Sequence, residues 1–171
     1  MVLESLLILV FPAAMAFAGA MDLLTMTIPN RISIALVAAF AVVAAWSGVA
    51  PDVILIKHVA LGAAVLAAGV VMFSAGWMGG GDAKLLAAAS LWLGYDLLLQ
   101  FLVVVSLLGG VLALLILAYR RAIPEAAMIS PVPEWAQRLH VQGTGIPYGI
   151  AIAGGAVAMY PSSPWFLAML H

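Results

Sequence analysis

Polar positions are so sparse along this chain that they act as punctuation. Apolar runs cover residues 2–21, 32–49, 57–78, 83–93, 96–119 and 147–170, and the breaks between them carry Gly, Pro and charged residues. A helix needs roughly 20 mainly apolar residues to cross about 30 Å of hydrocarbon, because lipid offers no partner for a free backbone N–H or C=O. The pattern therefore predicts an all-α membrane protein, a six-helix transmembrane bundle forming a single domain over residues 1–171. The fourth run is short, since about 11 residues at 1.5 Å each reach only about 17 Å. Charge placement argues that it crosses all the same. With the N-terminus outside and six crossings, Arg31, Lys84, Arg120, Arg121 and Arg138 fall on the cytoplasmic side and only Lys57 on the outer side, the asymmetry that membrane proteins favour.

Composition agrees with a bilayer as solvent: 67% of the residues are hydrophobic and 8% charged. A net charge of −1 gives no basic field for nucleic acid, so chemistry must come from where single charges stand. Without cysteine there are no disulfides, thiolate metal sites or cysteine nucleophile. The first run resembles a secretory signal in its Ala18-Gly19-Ala20, but Glu4 is the only charged residue ahead of Asp22 and the first basic residue is Arg31, so it reads as a retained helix. The long connection, residues 120–146, is broken by Pro124, Pro131 and Pro133. Residues 134–140 can form one or two amphipathic turns with Trp135 and Leu139 on one face, either in a solvated loop or in a flap over the site. Gly62, Gly69, Gly109, Gly110, Gly154 and Gly155 read as close-packing positions.

Two acids stand out. Asp22 follows the first run and Asp82 opens the fourth, so two crossings bring residues 60 positions apart to the same cytoplasmic face. Carboxylates near hydrocarbon cost about 2.5–3.5 kcal/mol on insertion scales and are usually kept for a function or a partner. A pair at hydrogen-bonding distance holds one proton between them, which supplies a base for water and an acid for a carbonyl. Because Asp82 opens a helix and Asp22 closes one, helix polarity predicts Asp82 as the more acidic partner and Asp22 as the proton carrier. Gly79, Gly80 and Gly81 permit close approach of an extended peptide.

Gly79-Gly80-Gly81-Asp82-Ala83-Lys84 resembles the G-x-G-D-x-K motif of the prepilin peptidase (type IV leader peptidase) family of membrane aspartyl proteases. Asp22, Thr25, Ile28, Pro29, Asn30 and Arg31 are similar to its D-x-x-T-x-x-I-P-N-R pattern, and Ile146-Pro147-Tyr148-Gly149 to the start of its last helix. The resemblance implies Asp22 and Asp82 as catalytic aspartates, a multi-pass protein of the bacterial inner membrane, and cleavage of the short basic leader of a pilin-like precursor where its hydrophobic helix begins. Without zinc-binding cysteines or a methyl-transfer insertion, the chain resembles the minimal Flp/Tad-type form. Leu24, Met26 and Thr27 stand where the family often carries basic residues.

The remaining polar residues have plainer roles. Lys84 balances the dyad's charge, meets a substrate carboxylate or snorkels to the interface. Pro29 and Asn30 shape the turn after Asp22, with Asn30 as the expected N-cap, while Pro147, Tyr148 and Gly149 line the groove or simply start a helix. His58, His140 and His171 lack metal-site spacing, so no metal or other cofactor is expected. Asp52 and Asp96 fall on the outer side, Glu125 and Glu134 in the solvated loop, and Ser5, Ser33, Ser74, Ser90 and Ser106 inside helices. The competing functions are a proton-coupled transporter, with the acids as a relay, and a non-catalytic pilus-assembly scaffold. Asp→Asn exchange separates the three: only the protease loses precursor cleavage, and only the transporter loses flux.

Overall fold

In a computed structural model the chain is described over residues 2–123, 132–141 and 145–168, with side chains from residue 9 onward. It is all-α, and no strand occurs among the described residues. Helix α1 spans Val2–Thr25, α2 Asn30–Trp46, α3 Pro51–Ser74, α4 Gly80–Leu93 and α5 Tyr95–Ala122. The short α6, Glu134–His140, precedes α7, Gly149–Met159, and α8, Pro164–Ala168. Helices α3 and α5 are long and apolar enough to cross a membrane, and α1 from Leu9, α2 and the segment Gly149–Ser162 are shorter apolar helices.

The short fourth run is the hub. Helix α4 packs against α2, α3, α5 and α7, and it buries Ala83, Leu85 and every residue from Ala87 to Leu93. Fourteen residues rise about 21 Å. Being sheathed by neighbours, α4 has its length set by those helices more than by lipid. Helix α7 sits between α1 and α5. Gly155 admits Val105 of α5, and Gly19 of α1 admits Ala153, so backbones approach where side chains are absent. The outer faces stay apolar: Leu99, Trp46, Ile56, Leu114 and Val71 are all more than half exposed. A surface this apolar suits lipid.

One predicted run is interrupted. The last one breaks after Met159 into a 3-10 turn, Tyr160–Ser162, and Ser163 is extended before α8 begins. Pro161 and Pro164 each remove an N–H from the helical ladder and disfavour helix at the residue before them, and two of them three positions apart account for the break. Residues 169–171, including His171, lie outside the described residues, as do residues 124–131, with Pro124, Glu125 and Pro131, and 142–144.

At the end of the bundle remote from Asp22 and Asp82, Phe11, Phe40, His58, Trp92, Tyr160 and Trp165 form one aromatic cluster. Its indole N–H groups are satisfied by carbonyls, Trp92 Nε1 donating to Leu36 O at 2.9 Å and Trp165 Nε1 to Trp92 O at 2.7 Å, whereas the buried Tyr160 hydroxyl has no partner among the described residues. His58 Nδ1 lies 2.9 Å from the Leu91 carbonyl, which can only accept, so Nδ1 carries the hydrogen.

Candidate active site

Helix α1 ends three residues after Asp22. Met26 takes φ +55°, the left-handed conformation that commonly closes a helix, and its N–H bonds the Asp22 carbonyl at 2.8 Å. Thr25 braces this end, its hydroxyl donating to Met21 O at 2.7 Å and lying 2.8 Å from Thr27 Oγ1. The Asp22 carboxylate, buried at 6% exposure, faces inward and accepts the Gly149 N–H at 2.7 Å. This amide is one of the free N–H groups at the start of α7, so an acid from the first helix caps the seventh.

Asp82 occupies the third position of α4, behind Gly79 at the N-cap. Its carboxylate turns back on the Gly79 amide, the reach seen when an acid at this position closes a capping box. The other oxygen, Oδ1, is buried and has no hydrogen-bond partner among the described residues. Asp22 is close enough for its charge to act on Asp82.

Ile28 holds the two halves together. A methyl group added at Gly81 would stand 3.1 Å from Ile28 Cβ, and one added at Gly149 would stand 2.8 Å from both Ile28 Cδ1 and Asp22 Oδ2. The turn after α1 therefore fits between the start of α4 and the start of α7. The glycines matter here because three backbones converge with no space for a Cβ.

Helix polarity does not separate the acids as expected from the sequence. Asp22 does close its own helix, but it also faces the positive end of α7, and Asp82 stands at the positive end of α4. Both carboxylates thus meet a helix N-terminus, and the predicted order of acidity loses its basis.

Asn30 is the first residue of α2, and Pro29 is the N-cap with no side-chain bond. The expected Asn30 cap does not form because its Oδ1 is engaged elsewhere, accepting Lys84 Nζ at 2.8 Å. Lys84 thereby ties the start of α2 to α4, two residues beyond Asp82. Pro147 is buried, and the Tyr148 ring lies against Gly109 of α5, where a Cβ would overlap it. Gly79 is exposed, and Gly80 and Gly81 are half-buried. Two residues were missed as site members: Ile28, visible only as part of its motif, and Gly109, which has no sequence signal beyond small size. Asp96 is solvent-exposed and pairs with Lys57 at 2.9 Å, remote from the dyad. Among the described residues no group of three His, Asp or Glu side chains could hold a metal ion.

Residues 9–114 match the sequence profile of the type IV leader peptidase family, a stretch that holds Asp22, Asp82 and more than half of the chain. The protein belongs to the type IV leader peptidase family. This leader peptidase family is membrane-associated and of the aspartic type, which supports protease activity. No curated protein and no solved structure matches the chain. The Gly149 amide that binds Asp22 lies beyond the matched stretch.

Proposed function

We propose that this leader peptidase is an endopeptidase that removes the short basic leader of Flp-type prepilins at the cytoplasmic face of the bacterial inner membrane, with Asp22 and Asp82 as its catalytic pair. The observation that carries the reading is the convergence around Ile28, which sets two acids 60 positions apart beside each other, each at a helix start.

In the proposed reaction the pair holds one proton. The ionised member takes a proton from water, whose oxygen attacks the scissile carbonyl carbon, while the protonated member donates to the carbonyl oxygen. Collapse of the tetrahedral intermediate breaks the C–N bond: the departing amine takes the proton that came from water, and the hydroxyl formed from the carbonyl returns its proton to the acid that gave it. Each acid ends in the form in which the pair began. No covalent intermediate, metal or other cofactor is required. The rate falls when both acids are protonated, which removes the base, and when both are ionised, which removes the acid, so the pH profile is bell-shaped.

Six crossings with the N-terminus outside suit this site, because they leave Asp22 and Asp82 on the side that carries Arg31, Lys84, Arg120, Arg121 and Arg138. The Gly79–Gly81 turn gives an extended peptide room to approach Asp82. Pro147, Tyr148 and Gly149 fix the start of α7, while Pro29, Asn30 and Lys84 hold the facing side. Helix α6 closes on the same end, since Arg138 Nη1 donates to Leu24 O at 3.2 Å, two residues from Asp22. That position suits a flap.

The decisive experiment is co-expression with a Flp-type precursor, reading the mature N-terminus by mass spectrometry. The wild-type protein yields the trimmed chain, and Asp22→Asn and Asp82→Asn proteins, inserted at normal levels, leave the precursor intact. Trimming by either variant would remove the dyad.

A further inference from the structure

The chain from Asp22 to Asn30 leaves α1 as a braced arm. At its start the Met26 N–H closes on the Asp22 carbonyl at 2.8 Å, and the Thr25 hydroxyl is held between Met21 O at 2.7 Å and Thr27 Oγ1 at 2.8 Å. At its end Pro29 fixes φ at −60° just ahead of α2. An arm stiffened at both ends transmits the position of Asn30 back to Asp22.

The far end of this arm meets α4 at two points, one on each side of Asp82. Gly81 lies against Ile28, so close that an added Cβ would stand 3.1 Å from Ile28 Cβ. Lys84 Nζ donates to Asn30 Oδ1 at 2.8 Å. The two contacts oppose each other. Steric contact at Gly81 stops the arm and the helix from coming closer but does nothing to keep them from parting. A hydrogen bond from a charged donor supplies the pull in the other direction. Charge balance, a substrate carboxylate and the membrane interface were all open to Lys84 from the sequence, yet its ammonium is engaged with Asn30, and the charge that acts on Asp82 is that of Asp22.

We infer that Lys84 is a positioning residue, a strut that works through Asn30 to hold the Asp22 arm against α4 and so sets the spacing of the two acids. This rests on the leader-peptidase reading above, in which Asp22 and Asp82 act as a pair. Spacing governs the chemistry because two carboxylates share one proton only while they stay close. As they part, their two ionisation steps converge and the singly protonated form becomes scarcer. Loss of the strut therefore narrows the pH profile and lowers kcat. Substrate binding is spared, since the strut acts on the acids and not on the peptide.

The test is a double-mutant cycle in the full-length protein, reconstituted in phosphatidylcholine vesicles, with cleavage of a Flp-type precursor followed across pH. Asn30→Ala and Lys84→Met are each expected to lower kcat roughly tenfold, to keep KM within about twofold and to draw the two limbs of the bell together. The double variant should be no worse than either single one, because all three lack the same bond. Lys57→Met breaks the exposed ion pair with Asp96, remote from the dyad, and should leave kcat and both limbs at wild-type values. Losses that add, or a raised KM with unmoved limbs, would overturn the strut. So would a loss in Lys84→Met that Asn30→Ala does not share, the pattern expected if the lysine balanced the dyad's charge or met a substrate carboxylate. Wild-type rates in both single variants would overturn it too and leave Lys84 to the membrane interface. A wild-type protein that trims no precursor sinks the protease reading itself, a result distinct from all of these because it appears before any variant is compared.

Discussion

Gly149 is the position where one methyl group has the largest expected effect. Alanine there would drive a Cβ into Asp22 and Ile28, each 2.8 Å away, so Gly149→Ala should reduce leader cleavage by about 10²–10⁴-fold, the range for losing an acid–base group. The protein should still insert, which a protease-protection assay would show. Two neighbouring glycines give a sharper contrast. Gly109→Ala meets the Tyr148 ring and should cost about 1–3 kcal/mol by overpacking, while Gly110→Ala enters open space and should stabilise α5 by about 0.5–1 kcal/mol. Thermal unfolding in detergent reads both. The identity of the two acids was legible because few charges interrupt the apolar runs. The partners of Asn30 and Lys84 were not: their bond joins residues 54 apart and has no periodicity to announce it.

Among the helices, α4 shows why a short apolar run is not a failed span. Its burial comes from α2, α3, α5 and α7, and the closest approach to α3 is at Gly69, where a Cβ would stand 2.8 Å from Ala83 Cβ. Gly69→Val should push α3 away from α4 beside Asp82, lowering the melting temperature and reducing cleavage together, since the displaced residue adjoins the acid. An unchanged melting temperature and rate would show that α4 is not clamped there. Most helix positions could be read from hydrophobic runs, because each run ends at Gly, Pro or charge. The break after Met159 was missed even though Pro161 and Pro164 advertise it, as apolar residues on both sides gave the run apparent continuity. The π-type turn of α3 at Leu55–Val59, which carries buried His58, has no pattern of its own in the sequence.

Across the whole molecule, the two ends of the bundle are built differently. One end is locked by interlocking rings, and the other by glycines that leave space around two acids. Trp165→Phe removes the bond to Trp92 O and should cost about 1–3 kcal/mol of stability, while the folded fraction keeps its cleavage rate. The proposed orientation has its own check: Asp52→Cys should react with an impermeant maleimide from outside the cell, and Arg121→Cys only after permeabilisation. The reverse pattern would invert the topology. All-α character was legible from composition and run length alone, whereas orientation rests on six basic residues and has no counterpart in the packing of the helices.

The capping of α7 by Asp22 sets an order of events during synthesis. Both acids leave the ribosome long before Gly149, so a nascent chain that has inserted only its first five helices carries the reactive groups without the amide that aims one of them. On the proposed reading, competence to hydrolyse therefore waits until α7 has been made.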